Sequence, residues 1–167
     1  NRGTGELEIT NGGQVTIDGE NQKFPGMNIG RGEDDGSVEA SGFVRIDGAG
    51  SLLTVRGDNV SEGASSGFIA VGSRPNAEGE LQITNGGGLR MEGANSLMVV
   101  GNREGAEGEV FVFGSGSFLD VTGEIQVGTS GEGELTVGNG ASLTTGSLAI
   151  GEDGFADLSG DIIGNLN

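Results

Sequence analysis

The stretch that decides the fold is Gly79–Gly101, GELQITNGGGLRMEGANSLMVVG. It holds three short alternating apolar runs, at Leu81/Ile83, Leu89/Met91 and Leu97/Val99, with a turn between each pair. Alternation with period two presents one face of each run to a core, the pattern of a half-buried strand. Much of the remaining chain repeats this order. Gly5–Gly13 (GELEITNGG) opens an earlier copy, Gly108–Val112 (GEVFV) a later one and Gly133–Gly140 (GELTVGNG) another. A degenerate copy lies between Gly36 and Gly72, with FVRIDGAG at Phe43–Gly50. A fixed unit recurring every few tens of residues signals a stacked-repeat architecture.

Aligned on their opening glycines, the units start at Gly5, Gly42, Gly79, Gly108 and Gly133, spaced by 37, 37, 29 and 25 residues. Each closes on a β-branched residue and a glycine: Ile29-Gly30, Val71-Gly72, Val100-Gly101, Val127-Gly128 and Ile150-Gly151. Three strands per unit with no helical periodicity describe one coil of a parallel β-helix. Leu7, Leu81, Val110 and Leu135 then form one interior column, and Ile9, Ile83, Val112 and Val137 the next. Burying one such side chain is worth about 1.5–3 kcal/mol, so a thin stack can hold without a globular core. The length differences fall in the second connection, which is long at Asp18–Gly26 and Arg56–Gly67 and only Thr145-Gly146-Ser147 in the fifth unit. Phe155, Leu158, Ile162 and Ile163 read as the start of a sixth coil.

Composition agrees with a solenoid. The chain has 167 residues, 37 of them Gly, with no Cys, His, Trp or Tyr and seven Phe. The glycines fall at repeating offsets among β-formers, which separates the chain from a low-complexity sequence, and a solenoid needs less aromatic bulk than a globular core because each coil packs on its neighbours. The formal net charge is −17 with eight basic residues. Binding to nucleic acid needs Lys and Arg to displace phosphate counterions, and anionic membranes are disfavoured for the same reason. No apolar run approaches the roughly 20 residues that span a bilayer, so no membrane insertion by this segment is expected. The whole of 1–167 reads as one repeat domain cut from a longer solenoid.

The turn after the first strand is Asn-Gly in three units, Asn11-Gly12, Asn85-Gly86 and Asn139-Gly140, with Asp47-Gly48 and Ser115-Gly116 filling the place in the others. Asn and Gly tolerate the positive φ of a tight corner. The stacked corners have two readings, turn chemistry alone or a ladder of amides hydrogen-bonded from coil to coil, and both are structural.

These units resemble the short repeats of type V secretion (autotransporter) passenger domains and of PEP-CTERM-associated surface proteins. The residues that carry the likeness are Val-Gly, a short polar turn, Gly-Glu-Leu-x-Ile-Thr-Asn-Gly-Gly, and a GAGS- or GANS-like turn at Gly48–Ser51 and Gly93–Ser96. It extends over roughly Gly5 to Gly151. Where the family often has an aromatic after that turn, this chain has Leu53 and Met98. The resemblance implies export, a right-handed β-helix, and a surface or adhesive role, without a defined ligand.

Three chemistries are open to the residues. Polysaccharide lyases and hydrolases also use parallel β-helices and need paired carboxylates or a basic residue in a cleft. Here carboxylates abound, but Lys23 is the single lysine and no Trp or Tyr is present to stack a sugar, so the chain is not read as an enzyme. A Ca²⁺ column is the second. Glu80, Glu109 and Glu134 hold one place in consecutive units, and Glu78, Glu107 and Glu132 another two residues earlier. Strands about 4.8 Å apart would stack these like charges directly. Arg74 and Arg103 recur beside them as neutralising partners, and Ca²⁺, which takes several oxygen ligands, would neutralise the rest. The alternative is that the carboxylates splay into solvent and confer solubility. Glu33-Asp34-Asp35 and Glu152-Asp153 carry the same two readings. The third is Arg56-Gly57-Asp58, an RGD tripeptide opening the longest insertion. It reads either as an adhesion motif or as a chance product of a Gly- and Asp-rich chain.

The sequence therefore predicts an all-β, right-handed, single-stranded parallel β-helix (solenoid) of about five coils, about 25–30 Å long at one strand spacing per coil. The expected role is a structural or adhesive segment of a secreted or cell-surface bacterial protein, anchored to the outer membrane through a part outside this chain. A host surface or a polysaccharide is the expected partner. The runner-up is a subunit that self-associates through its solenoid ends into filaments or a surface layer, and a polysaccharide-modifying enzyme is third.

Overall fold

A computed structural model describes residues 2–19, 26–57 and 67–166. Among the described residues the regular structure is all strand, and every strand pairing is parallel. The first repeat contributes β1 (Arg2–Thr10), β2 (Gln14–Asp18) and β3 (Gly26–Ile29). The second gives β4 (Glu39–Asp47), β5 (Leu52–Arg56) and β6 (Phe68–Val71), and the third β7 (Ala77–Thr84), β8 (Gly88–Glu92) and β9 (Leu97–Val100). Two longer-stranded repeats follow, β10 (Glu107–Phe113) with β11 (Phe118–Val127), and β12 (Glu132–Gly138) with β13 (Ser142–Ile150). β14 (Gly154–Leu158) and β15 (Asp161–Leu166) continue the order, as the apolar residues after Gly151 suggest.

The opening strands form one sheet in the order β1-β4-β7-β10-β12-β14. Its register aligns every unit start read from the sequence: Gly5 with Gly42, Gly42 with Gly79, Gly79 with Gly108, and Gly108 with Gly133. The second sheet runs β2-β5-β8-β11-β9-β6-β3. It turns back on itself because β11 is shared. Phe118–Val121 pairs with β8, and Glu124–Val127 pairs with β9. Three strands per repeat therefore hold only for the first three repeats. From β11 onward the second corner shrinks to an irregularity at Thr122-Gly123 and Thr145-Gly146, and two strands merge into one.

The core is a set of aliphatic columns. Leu7, Val44, Leu81, Val110, Leu135 and Ala156 share one register position, and Ile9, Ile46, Ile83, Val112, Val137 and Leu158 the next inward one. Both columns expected from the sequence are thus present. Ile46, Leu81, Ile83, Val110, Val112, Leu135 and Val137 are fully buried. The third strand departs from the expected phase. Met98 and Val100 stand over Ile69 and Val71 in the core, whereas Leu97 is half-buried beside Phe68. Four consecutive apolar residues, LMVV, carry no alternation from which a phase could be read.

Four of the five opening glycines are required by contact. At Gly79 a Cβ would lie 2.2 Å from the Ile29 carbonyl oxygen and 2.3 Å from the Gly72 nitrogen. At Gly108 it would lie 2.2 Å from the Val71 oxygen. The strands opening at Gly42, Gly79, Gly108 and Gly133 pass against the closing Val-Gly or Ile-Gly of an earlier repeat with no room for a side chain, whereas Gly5 meets nothing within 4 Å.

The first corner comes in two alternating forms. Asn11, Asn85 and Asn139 adopt φ of 55°, 53° and 53° in the first, third and fifth repeats. In the second and fourth, Gly48 and Gly114 take that position, at φ 93° and 94°. Asp47 aligns with Thr84, so Asp47-Gly48 and Ser115-Gly116 are each one step out of line with the Asn-Gly pairs. Of the two readings the amide ladder does not form, because a glycine separates each asparagine from the next. Serine hydroxyls knit the corners instead. Ser51 Oγ donates to the Asp47 carbonyl at 2.7 Å and accepts from the Gly12 N–H at 3.1 Å. Ser117 does the same between the Phe113 carbonyl and the Gly86 N–H, at 2.7 and 3.0 Å.

Candidate functional site

The outward residues of the first sheet make a face of stacked carboxylates. Its register stacks Glu78, Glu107 and Glu132 in one column and Glu80, Glu109 and Glu134 in the next, as the sequence spacing predicts. The second column continues to Glu6 and Phe43 on one side and to Phe155 on the other. Phe155 is 58% exposed. Phe111 and Phe113 stack alongside on β10, with ring centroids 6.3 Å apart. A shallow open depression over β1, β4, β7 and β10 is lined by Glu6, Phe43, Glu78, Glu80, Glu107 and Glu109.

Pleating makes this arrangement unavoidable. The Gly-Glu-Leu sequence fixes Leu inward, so the glutamates on both sides of the opening glycine point outward together. Parallel in-register pairing then brings like charges together at about 4.8 Å. Hydrogen bonds fix two members of the central column: Gln82 Nε2 donates to Glu80 Oε1 at 2.6 Å, and Thr136 Oγ1 donates to Glu134 Oε1 at 3.0 Å. Glu109 lies between them. Desolvation by its packed neighbours, and then the charges of Glu80, Glu134 and Glu107, raise its pKa above the ordinary 4.5.

The columns do not make an ion cage. Among the described residues no three carboxylates converge closely enough to hold a metal ion. Stacking along a sheet spaces the side chains by the strand separation, whereas Ca²⁺ needs oxygens gathered at 2.3–2.6 Å around one point. Of the two arginines expected beside the columns, Arg74 and Arg103, the first forms an ion pair with Asp34 on the turn after β3. Asp35 in that turn has its pKa lowered first by a hydrogen bond from the Ser37 side chain and then by the Ser37 N–H, which it accepts at 2.9 Å.

Of the Arg56-Gly57-Asp58 tripeptide, Asp58 lies outside the described residues. Arg56 ends β5, and its Nε and Nη2 donate to Asp18 Oδ2 at 2.9 and 2.8 Å. This two-pronged contact ties the guanidinium to the neighbouring β2 rather than offering it at a loop tip. Arg90 likewise meets Asp120 at 3.2 Å and lies over the Phe118 ring, 5.6 Å from its centroid.

Ser51, Ser96 and Ser117 carry buried hydroxyls that sequence reading did not single out. Their signal was present in the GAGS- and GANS-like turns, where a serine directly precedes a strand. Ser96 Oγ accepts the Gly123 N–H at 2.9 Å and so serves the bulge that replaces its own corner in the next repeat.

No family model, no curated protein and no solved structure matches this chain.

Proposed function

We propose that the two sheets are faces of one right-handed, single-stranded parallel β-helix of about five coils with a sixth begun. Its role in this reading is structural: a stiff segment that extends and displays surface in a secreted or cell-surface bacterial protein, of the autotransporter-passenger kind. The observation that carries the reading is the register itself. The same residue class recurs at the same place in repeat after repeat, with aliphatics inward and the opening glycine wedged against an earlier repeat. Such an arrangement gives nearest-neighbour stability and an extended surface. Its outer face carries stacked carboxylates and exposed phenylalanine, suited to adhesion toward a cationic or polysaccharide surface.

Small-angle scattering on the purified 167-residue protein, combined with binding to immobilised polysaccharides and to cultured cells, tests this reading. A rod of uniform cross-section that binds without altering the polysaccharide is the expected result. A compact globule would overturn the fold, and polysaccharide turnover would overturn the role.

Self-association is a second reading with its own observation. The apolar residues that are only partly buried against the core, Leu7, Val15, Ile17, Met27, Ala156, Leu158 and Ile162, all belong to the first and last repeats. Ile163 is 67% exposed beside them. Concentration-dependent rods in light scattering would favour assembly over a monomeric segment.

A further inference from the structure

Asn11-Gly12, Asn85-Gly86 and Asn139-Gly140 are three copies of one dipeptide in one corner conformation, with φ at the asparagine differing by only a few degrees. Backbone geometry therefore does not distinguish them. Their hydrogen bonds do. Asn85 Nδ2 donates to Asp47 Oδ1 at 2.7 Å, and the Gly86 N–H donates to Ser117 Oγ at 3.0 Å. The Gly12 N–H donates to Ser51 Oγ at 3.1 Å, while among the described residues Asn11 Nδ2 reaches only Thr10 Oγ1, at 3.4 Å. Among the described residues, neither the Asn139 side chain nor the Gly140 N–H has a partner.

The register explains the difference. Asp47 lies one repeat before the Asn85 corner, and the corresponding residue before the Asn139 corner is Phe113, which offers no carboxylate. Ser51 and Ser117 lie one repeat after the first two corners, and Gly160 takes that place after the third. Both Asn139 and Gly140 are exposed.

We propose that Asn139 is a site of spontaneous, backbone-mediated deamidation in the folded protein, ageing well ahead of Asn85, with Asn11 between. The Gly140 backbone nitrogen loses its proton to solvent hydroxide and attacks Asn139 Cγ. A Cγ–N bond forms, the Cγ–Nδ2 bond breaks, and ammonia departs with a proton from water, leaving a succinimide. Water then opens the ring. Attack at the Asn139 backbone carbonyl leaves the chain linked through Cγ as isoaspartate, and attack at Cγ gives aspartate. At Asn85 the attacking nitrogen is tethered through its N–H and the leaving amide is held by Asp47. The Asp47 carboxylate also opposes the negative charge that develops at Cγ. Conversion of Asn139 to isoaspartate would add a methylene to the backbone of a tight corner and a carboxylate to an already acidic chain, loosening the stacking of the last repeats.

The test incubates the folded 167-residue protein in mildly alkaline buffer and follows each site by peptide mass mapping and isoaspartyl methyltransferase labelling. Asn139 should lose its amide roughly tenfold faster than Asn85, the factor that about 1.4 kcal/mol of ground-state hydrogen bonding produces. In denaturant the three rates should converge, since each asparagine precedes glycine. Equal rates in the folded protein, or Asn85 reacting first, would overturn the proposal. Ser117→Ala should speed Asn85 and leave Asn139 unchanged. If that variant keeps its fold and Asn85 is no faster, the protective hydrogen bond has been assigned wrongly. If it unfolds, the comparison of folded and denatured native protein decides alone.

Discussion

The Asn85 side-chain amide donates to Asp47 Oδ1 at 2.7 Å, and the Thr84 hydroxyl donates to the same oxygen at 2.7 Å. One carboxylate of the second repeat thus holds the corner of the third. Arg45 Nη2 lies 3.4 Å from its other oxygen and Arg45 Nη1 3.6 Å from Glu8, so the network reaches three repeats.

Asp47 should therefore stabilise the stack through its charged form. The Thr84 and Asn85 hydrogen bonds, with a smaller contribution from Arg45, hold its pKa below the ordinary 3.8. A lowered carboxylate pKa means that the folded state binds fewer protons. The stabilisation is complete above pH 3.8 and is lost as pH falls through the lower folded value. Asp47→Ala should lose about 1–2 kcal/mol in urea unfolding at neutral pH. That deficit should narrow under strong acid, and a deficit independent of pH would place the effect in packing.

Glu109 should behave in the opposite sense. Its pKa is raised, so the folded state holds its proton more tightly than the unfolded chain does. The charged column weakens the fold at neutral pH, and that penalty is relieved as pH falls from above the folded pKa to below 4.5. Unfolding followed from neutrality into this window should show stability rising, and Glu109→Gln should flatten the rise while stabilising the neutral protein. Ca²⁺ and monovalent salt at matched ionic strength should shift the melting temperature alike, because screening acts without a cage.

The division between what the sequence reveals and what it conceals follows from the range of each determinant. Leu81 and Ile83 announce their inward face because polar neighbours alternate with them, and the opening glycines mark each repeat. The Glu78 and Glu80 columns follow from those two facts alone. The corners depend on residues a whole repeat away. Nothing near Asn85 in sequence says that Asp47 will receive its amide, and nothing near Gly86 names Ser117. Arg74 stands close to Glu78 in sequence, but the turn after β3 brings it to Asp34. The merging of two strands into β11 is equally hidden, since Thr122-Gly123 looks like one more short turn.

Gly5 and Gly79 open identical GEL motifs and should respond differently to the same change. A Cβ at Gly79 would overlap the Ile29 oxygen and Gly72 nitrogen, whereas at Gly5 nothing lies within 4 Å. Gly79→Ala should destabilise by about 3 kcal/mol, since backbone on both sides cannot yield as a side chain would. Gly5→Ala should be neutral or stabilise by up to about 1 kcal/mol by restricting the unfolded chain. Thermal melts of the two variants decide this, and equal losses would mean that the opening glycine serves turn conformation instead of close approach.

The inward phase can be tested at two places that differ in how they declare it. On β7, Ile83 is fully buried and Gln82 faces outward to Glu80. On β9, Met98 is fully buried between Ile69 and Ile125 while Leu97 is half-buried. Truncating a buried aliphatic loses its transfer energy and leaves a cavity, about 2–5 kcal/mol for Ile, Leu or Met to Ala. Ile83→Ala and Met98→Ala should both fall in that range. Gln82→Ala should change stability by less than about 0.5 kcal/mol, as surface substitutions usually do. Leu97→Ala should lie between, because one side of its side chain remains wet. The β9 pair carries the sharper information. A Leu97 loss exceeding the Met98 loss in denaturant unfolding would reverse the third strand. It would also separate Met98 from the column it shares with Ile69 and Ile125, and with it the pairing of β9 to β11 that closes the second sheet.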